Sequence, residues 1–319
     1  MSTIHKLFLF SLTCLLLFAC DRSVCPYDDE RFCDRDFRDS LAAAEPCFYS
    51  MNAVAGELQG NNRVVFSPAE FIDVPRKALL EYFTGFRCPN CPPASATAAN
   101  IHQSRCGEVI VVFVHATSQF AAPLNNHPNG WYTLDLRTPE SNTFLQDFML
   151  TSLPSGVVNR KQFGGTFGIA AGQWLSEIQA EQSSPAQAFL RIRRAEFDPA
   201  TRSMDLQIAY RFIGLDAADF NLTVGILENG IIEAQKDGPD DLFPYEHNFV
   251  FRGNANGTYG SPLSTTSPPL APNEAVLHSL NFPIDDEWNE DQLYFYALLS
   301  NRSSLEVIQA DGFYFEMDP

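Results

Sequence analysis

The sequence is short of positive charge. Its 319 residues include 21 lysines and arginines against 39 aspartates and glutamates, which gives a formal net charge of -18 at pH 7. Any contact with a phosphate would be made against the protein's own negative field. The charge balance therefore argues against nucleic acid and anionic lipid as partners, and it predicts a soluble protein with an acidic outer face.

The sequence also lacks an apolar run long enough to cross a bilayer as a helix. After Lys6 come twelve uncharged residues, L-F-L-F-S-L-T-C-L-L-L-F, and then Ala19-Cys20. This is the length of the apolar part of a signal peptide. L-F-A-C resembles a bacterial lipobox, so we expect residues 1–19 to be a lipoprotein signal peptide and Cys20 to carry lipid that holds the protein at a membrane. A plain secretory signal cut nearby is the alternative, and in both cases the mature chain reaches a compartment in which disulfides persist.

Paired metal ligands are a third absence. A C-x-x-C pair can be half of a zinc site, but the sequence offers no second ligand pair at suitable spacing. The candidates His102, His115 and His127 are scattered, and we interpret them as surface or loop histidines. Delivery of copper or zinc through the thiols would need a third ligand that the sequence does not identify. The sequence therefore predicts neither a metal site nor a cofactor.

What the sequence does contain is a strand that leads into two cysteines. The stretch from Ala78 to Cys91, A-L-L-E-Y-F-T-G-F-R-C-P-N-C, is an apolar run that reaches Gly85 and then Cys88. Two prolines and the helix-prone segment S-A-T-A-A-N-I-H-Q follow. A strand, a tight turn, paired thiols and a helix are the parts of a thioredoxin-type redox corner.

Redox chemistry at this corner needs a lowered thiol pKa on the first cysteine. A helix N-terminus and the neighbouring Arg87 would supply positive potential, so we predict that Cys88 is the attacking thiolate and Cys91 the resolving thiol. Glu81 on the buried strand could relay the resolving thiol's proton, and the alternative is a carboxylate satisfied by a neighbour. Pro93 would fall about one turn into a helix capped at Cys88, which predicts a helix that starts later or kinks.

Segments downstream of the cysteines continue the pattern. Glu108–His115 is a second continuous apolar run, and two such runs separated by a helix suit adjacent parallel strands in a βαβ unit. Residues 116–142 are polar and rich in Asn, Pro and Gly, which indicates an insertion. In T-S-L-P-S-G-V-V-N-R-K, a proline precedes a short β-branched strand. In thioredoxin-like folds a cis-proline lies at this point and faces the cysteine pair, so we predict a cis bond at Pro154.

After Pro185 the hydrophobic period changes to two. Leu190 and Ile192 alternate with arginines, and residues 204–212 alternate in the same way beyond a D-P-A-T-R turn. This pattern is typical of an antiparallel sheet with one solvated face. About seven short strands over this length suggest a β-sandwich of immunoglobulin type. No cluster of acid, base and nucleophile is evident in this part of the sequence.

The predicted fold is an α/β thioredoxin-like domain followed by an all-β immunoglobulin-like sandwich domain. We place the signal peptide at 1–19, a Cys-containing tether at 20–62, the thioredoxin-like domain at 63–184 and the sandwich domain at 185–319. If Cys88 pairs with Cys91, the four other cysteines of the mature chain are candidates for structural disulfides, with three possible pairings. These are Cys25, Cys33, Cys47 and Cys106.

Three segments carry a resemblance to known families. They are E-Y-F-T-G-F-R-C-P-N-C-P, the P-S-G-V-V-N-R segment from Pro154 to Arg160, and Tyr245-Glu246-His247-Asn248. The portion from Ala78 to Lys161 resembles the thioredoxin-like superfamily, and nearly all of the mature chain resembles the outer membrane protein 28-related lipoproteins of Gram-negative bacteria. The resemblance implies an outer membrane lipoprotein on the periplasmic or cell-surface face.

Two functions follow as hypotheses. The first is a lipid-anchored thiol–disulfide oxidoreductase that acts on protein thiol or disulfide partners through Cys88 and Cys91. The second is a non-enzymatic binding or structural lipoprotein in which the same pair is a fixed disulfide and the thioredoxin fold is a scaffold. The sequence leaves open which of the two applies, and therefore whether the protein is an enzyme.

Overall fold

The computed structural model describes residues 57–59, 62–67, 74–105 and 107–314, and these belong to one compact unit. The predicted signal peptide at 1–19 lies outside the described residues. The same is true of the predicted lipidation site and the four candidate disulfide cysteines, which are Cys20, Cys25, Cys33, Cys47 and Cys106.

β-Strands are the main regular structure of the described chain, with a few helices packed against the sheets. In chain order the strands are β1 Glu57–Gln59, β2 Arg63–Val65, β3 Ala78–Thr84, β4 Val109–His115, β5 Ser155–Val158, β6 Ala188–Asp198, β7 Ser203–Phe212, β8 Phe220–Glu228, β9 Ile231–Asp237, β10 Asp240–His247, β11 Val250–Asn254, β12 Ser261–Pro262, β13 Glu274–Pro283, β14 Leu293–Asn301 and β15 Val307–Tyr314. The α-helices are α1 Pro92–Ser104, α2 Ser118–Ala121, α3 Pro139–Asp147 and α4 Ala171–Gln182, and short 3-10 turns cover Ala217–Asp219 and Glu290–Gln292.

The largest sheet has eight strands and contains both apolar runs of the sequence. Its order is β15-β14-β8-β11-β4-β3-β5, and β12 pairs with β8. β3 and β4 run parallel from Ala78↔Val109 to Thr84↔His115, and all residues of both strands are buried. Because α1 connects the two strands, the predicted parallel βαβ unit is confirmed.

The two faces of β3 pack against different elements, since side chains alternate along a strand. On one face the Tyr82 ring lies 5.3 Å from that of Trp174 in α4, and its hydroxyl is 3.1 Å from that of Ser95 in α1. On the other face the Phe83 ring lies 6.3 Å from that of Phe148, just after α3. The strand that leads to the cysteines is therefore held from both sides.

A five-stranded sheet with the order β1-β2-β13-β7-β6 forms a second β-layer. Its strands β6 and β7 pair as the hairpin that the two-residue period predicts. Leu206 and Phe282 from this sheet share one buried core with Val224 and Phe295 from the eight-stranded sheet. Two sheets therefore pack face to face in the C-terminal part of the chain.

The eight-stranded sheet continues across the predicted domain boundary at 184/185. β11 joins β4 in parallel at Val250↔Phe113, and the Phe113 amide donates to the Phe249 carbonyl over 2.8 Å. A buried ion pair of 2.5 Å between Lys77 and Asp311 also links the two segments. The residues after 185 therefore contribute to both sheets: β6 and β7 lie in the five-stranded sheet, while β8, β11, β14 and β15 extend the eight-stranded sheet that contains β3 and β4.

The end of the predicted tether at 20–62 also takes part in a sheet. Residues Glu57–Gln59 form the edge strand β1, which pairs antiparallel with β2, and β2 in turn pairs with β13. A three-residue strand is too short to carry a recognisable period, so the sequence gives no sign of it.

The predicted insertion at 116–142 contains α2 and the start of α3. α3 begins at Pro139 because Thr138 and Ser141 form a reciprocal capping box, in which each side chain accepts the other residue's backbone N–H. Within the described residues, no helix combines the length and the apolar character needed to span a bilayer.

Candidate functional site

Cys88 and Cys91 form a disulfide in the turn that follows β3. Their Cα atoms are 5.4 Å apart and the S–S bond measures 2.12 Å. The turn can lie close to α2 because residue 85 is glycine: a Cβ at this position would be 2.6 Å from the Phe120 carbonyl oxygen. The same carbonyl accepts the Arg87 amide at 2.9 Å, so α2 fixes the turn that presents the cysteines.

The helix after the motif begins at Pro92, with Cys91 as its N-cap. Pro92 and Pro93 therefore occupy the first two helical positions, where a missing N–H leaves no helical bond unmade. This confirms that the helix starts later than Cys88. The N-terminus of the helix therefore lies at Cys91, three residues after Cys88, and the activation of Cys88 stays a prediction.

The sequence predicts that Arg87 places a positive charge beside Cys88. Its guanidinium instead donates from Nη2 to the Ser118 carbonyl oxygen over 2.7 Å. Burial lowers the pKa of Arg87 below its usual value. The arginine contributes to holding α2 against the turn.

Tyr82 of β3 contacts the backbone of the cysteine turn through its hydroxyl. Its hydroxyl donates to the Cys91 carbonyl oxygen over 2.8 Å, and the Ser95 amide donates to the same oxygen over 2.9 Å. Burial raises the pKa of Tyr82 to about 12, so the hydroxyl stays protonated and available as a donor. The sequence did not single out this residue, although its alternation with Glu81 on β3 places the two on opposite faces.

A two-stranded hairpin formed by β9 and β10 covers the disulfide. The Lys236 amide donates to the Phe86 carbonyl over 2.7 Å, and the Gly238 amide donates to the Pro89 carbonyl over 2.9 Å. The Gln235 side chain reaches the Cys88 carbonyl at 3.5 Å. Cys88 is 1% exposed and Cys91 is 0% exposed. The disulfide is consequently closed off from solvent.

Glu233 ties this hairpin to the insertion. Its carboxylate accepts from the backbone amides of Tyr132, Thr133 and Leu134 over 2.8, 2.7 and 3.2 Å, and from its neighbour Ala234 over 2.8 Å. Burial acts to raise the pKa of Glu233, but the four amide donors outweigh it and lower the pKa. The charged carboxylate therefore holds the β9–β10 hairpin, which covers the cysteines, against the insertion.

Pro154 lies where the sequence predicts it, and the Leu153–Pro154 bond is cis. The next residue, Ser155, starts β5 and pairs with Phe83 in the antiparallel register of β3. Pro154 therefore sits at the end of the sheet from which β3 runs into the cysteine turn.

Glu81 lies on the other face of β3, where Arg160 binds it. Arg160 Nη2 donates to Glu81 Oε1 over 2.7 Å, and Arg160 Nε donates to the two carboxylate oxygens over 3.2 and 3.1 Å. The guanidinium also lies 5.2 Å from the Phe144 ring centroid and 5.3 Å from that of Tyr259. This arrangement matches the alternative in which Glu81 is a carboxylate satisfied by a neighbour, while Tyr82 is the side chain that meets the cysteine turn.

Two of the three candidate histidines are buried, although the sequence predicts surface or loop positions for them. His102 in α1 and His115 at the end of β4 are buried, so their interpretation as surface or loop residues is wrong; His127 does lie in a loop. The His115 ring, which is 1% exposed, lies 5.4 Å from that of His247, and neither of its nitrogens has a hydrogen-bond partner in the described structure. Among the described residues, no three His, Cys, Asp or Glu side chains are grouped to hold a metal ion.

His247 lies in Tyr245-Glu246-His247-Asn248, and no local sequence pattern assigns it a role of its own. It ends β10 opposite Ile231, and its ring is 4.8 Å from that of Tyr245. Asn248 caps the adjoining turn by accepting the Gly230 amide over 2.9 Å. This stretch therefore builds the base of the hairpin that covers the disulfide.

Comparison with solved structures gives similarity at low sequence identity. HBP35 of Porphyromonas gingivalis superimposes with a TM-score of 0.59 at 15% identity, over 77% of this chain and 78% of that one. A protein from Agrobacterium tumefaciens gives a TM-score of 0.49 at 12% identity, over 77% and 99% of the two chains. A domain of the outer membrane lipoprotein Omp28 from Porphyromonas gingivalis gives 0.28 at 12% identity, over 42% and 91%. The first of these shows a shared fold.

Among curated proteins, no match is found. The family model described as outer membrane protein Omp28 matches residues 141–312. The matched segment is more than half of the chain, and it runs from α3 to β15, so it includes cis-Pro154, Arg160 and the covering hairpin. The chain belongs to the outer membrane protein Omp28 family.

Proposed function

We propose that this protein is a non-enzymatic outer-membrane lipoprotein in which Cys88–Cys91 is a fixed structural disulfide. The observation that carries the proposal is the closed cover over that bond, formed by β9 and β10. Lipid on Cys20 would anchor the chain to the outer membrane of a Gram-negative bacterium, and family membership supports this location.

Thiol–disulfide exchange requires that a partner thiolate reaches a sulfur atom, and the β9–β10 hairpin buries both sulfurs of this disulfide. A partner thiolate must reach one sulfur of the disulfide, form a new S–S bond with it, and release the other sulfur as a thiolate. Both cysteines are buried, and the turn's Phe86 and Pro89 carbonyls already bind amides of the hairpin. An incoming protein strand would have to displace the hairpin first. The structure thus favours a disulfide that stays formed.

The proposal includes the finer assignment of the fold. β3, α1 and β4, followed by cis-Pro154 and the antiparallel β5, support a thioredoxin-like part. The two face-packed sheets beyond residue 185 support an immunoglobulin-like sandwich. In this account the thioredoxin-like part serves as a scaffold that shares its sheet with the sandwich.

Thiol–disulfide exchange is the second candidate. It is favoured by the cis-Pro154 bond and the C-x-x-C pair, which lie at the same end of the sheet. For exchange the hairpin would move, and a protein thiolate would attack one sulfur of the pair and release the other as a thiolate. A second thiol of that partner would then attack the mixed disulfide, which leaves the partner with a disulfide and Cys88 and Cys91 as the dithiol.

An insulin-reduction assay separates the two functions. The mature wild-type protein, with dithiothreitol as electron donor, is expected to accelerate insulin reduction no more than Cys88→Ser does, because buried sulfurs cannot be attacked. Thioredoxin serves as the positive control for the assay. Turnover by the wild type that Cys88→Ser abolishes would refute the structural proposal and establish exchange.

A further inference from the structure

Two histidines meet where the β9–β10 hairpin lies against the end of β4. His115 ends β4, His247 ends β10, and both side chains are buried. Their rings are 5.4 Å apart in an edge-to-face arrangement. The His115 ring also lies 6.2 Å from that of Phe86, whose backbone carbonyl binds the hairpin. The histidine pair therefore lies in the interface between the cover and the sheet that carries the cysteines.

The surroundings of the two rings suit neutral imidazoles. Within the part of the chain that the structure describes, neither nitrogen of His115 has a hydrogen-bond partner. The Nε2 atom of His247 lies 3.4 Å from the Ala234 carbonyl oxygen. A protonated imidazole carries two N–H donors that need acceptors, and two charged rings at this separation would repel each other. Protonation of the pair therefore favours a state in which the rings reach water.

The charged groups next to His115 are already paired. Arg252 of β11 acts on His115 as a further positive charge, and its guanidinium donates to Glu228 over 2.7 Å. Arg137 pairs with His115 through a backbone bridge, and its side chain is bound to Asp135 over 2.7 Å. Burial first, and the neighbouring positive charges second, hold the pKa of His115 well below its usual value. The carboxylates on this side are thus engaged by arginines.

The groups next to His247 are committed in the same way. Glu233 of β9 acts on His247 as a negative charge, but its carboxylate already accepts from four backbone amides. The Tyr245 ring lies 4.8 Å from that of His247, and burial raises the pKa of Tyr245, so this side chain stays neutral. Burial lowers the pKa of His247 to about 4 despite the carboxylate. Both histidines are therefore neutral at pH 7 while the hairpin is closed.

The hairpin is built so that it can separate from the rest of the fold. Among the described strands, β9 and β10 pair only with each other. The buried apolar side chains beneath them form a small cluster apart from the core of the eight-stranded sheet, and its members are Phe86, Tyr132, Leu136, Ile231, Ala234 and Val250. Two-stranded hairpins are marginally stable by themselves, and weakly connected elements open at lower free energy than the whole fold. Local opening therefore requires less free energy than unfolding of the sheet.

We propose that acid opens this cover: when His115 and His247 are protonated, the β9–β10 hairpin leaves the cysteine turn and Cys88–Cys91 becomes accessible to reductant, while the eight-stranded sheet stays folded. The inference rests on the proposed function, because it starts from a disulfide that is closed at neutral pH, and it adds a regulation of that site. Each histidine that passes from the buried to the solvated state should raise the open population about thirtyfold at pH 5 relative to neutral pH.

The test is the rate at which tris(2-carboxyethyl)phosphine reduces Cys88–Cys91 in the folded mature protein at pH 7.5 and at pH 5. The phosphine attacks one sulfur and the other leaves as a thiolate; water then releases the first as a thiol and forms the phosphine oxide. Mass spectrometry after alkylation follows this pair apart from the other cysteines, and each rate is divided by that of the urea-unfolded protein at the same pH. We expect the normalised rate to rise roughly a hundredfold or more at pH 5 with unchanged far-UV circular dichroism.

Three variants show whether the acceleration comes from the histidine pair. His247→Gln and His115→Leu carry no charge at pH 5 at the substituted position, so each should reduce the acceleration by about thirtyfold. His102→Gln is the matched control, because the His102 ring is also buried but packs on Phe249 in the core of the eight-stranded sheet. If only the hairpin opens, His102→Gln should accelerate in acid as the wild type does.

The inference is overturned if the normalised wild-type rate is equally slow at both pH values, and the fixed disulfide then still stands. It is also overturned if the dichroism is lost at pH 5 or if His102→Gln removes as much acceleration as His247→Gln, since acid would then act by unfolding the sheet. Wild-type acceleration in both His247→Gln and His115→Leu would have the same consequence. Rapid reduction already at pH 7.5 would instead refute the proposed function, and this inference with it.

Discussion

Arg160→Met is expected to lower the free energy of unfolding by about 3–5 kcal/mol. Arg160 and Glu81 are both fully buried and joined by a 2.7 Å ion pair, so removing the guanidinium leaves an unpaired carboxylate in the core. Methionine keeps much of the apolar contact with Phe144 and Tyr259. Urea unfolding at pH 7 measures the loss.

The stability of the double variant Glu81→Leu/Arg160→Met should be compared with that of Arg160→Met. It removes both charges together, so no unpaired group remains and most of the lost stability should return. If Arg160→Met costs less than about 1 kcal/mol, or if the double variant is less stable than Arg160→Met, the ion pair does not hold the sheet as described. The pair is also the reason that Glu81 is assigned to the scaffold: its carboxylate is bound on the face of β3 opposite to Tyr82.

The second large effect is a loss of stability in weak acid. Burial lowers the pKa of both His102 and His247 to about 4, and it holds that of His115 well below its usual 6.5. The stability that each neutral histidine contributes is therefore fully present above pH 6.5 and is lost as the pH falls. The reason is that the histidine becomes protonated in the unfolded chain while it stays neutral in the folded one. Between pH 7.5 and pH 5, His102 and His247 should each lower the free energy of unfolding by roughly 2 kcal/mol.

Urea unfolding at these two pH values tests this account when applied to the wild type and to His247→Gln. His247→Gln should reduce the difference in unfolding free energy between the two pH values by roughly 2 kcal/mol. An unchanged difference in His247→Gln would show that this ring is not a buried neutral group.

Much of the first half of the fold follows from local sequence patterns. The two apolar runs predict β3 and β4 as buried parallel strands, and the prolines predict that α1 starts after Cys88, which the structure shows at Pro92. The cis bond at Pro154 follows from the combination of two motifs. These features depend on contiguous residues, whose spacing is visible in the chain itself.

The remaining features depend on contacts between distant residues, and sequence patterns do not reveal these. Glu81 and Arg160 are 79 positions apart, and the hairpin amides of Lys236 and Gly238 bind carbonyls almost 150 positions earlier. The continuation of the sheet through Val250↔Phe113 is equally distant. For that reason the sequence predicts a redox corner and two domains, but it reveals neither the hairpin that covers the disulfide nor the sheet that the two segments share.

The reduction potential of Cys88–Cys91 distinguishes a fixed disulfide from a pair that turns over. The mature protein would be equilibrated in dithiothreitol buffers of known potential, quenched, alkylated and digested, so that mass spectrometry follows this pair apart from the other cysteines. A disulfide that stays buried under the hairpin is expected to have a potential below about -300 mV. A potential above about -270 mV, in the range of thioredoxin and protein disulfide isomerase, would contradict the account and identify a pair that turns over.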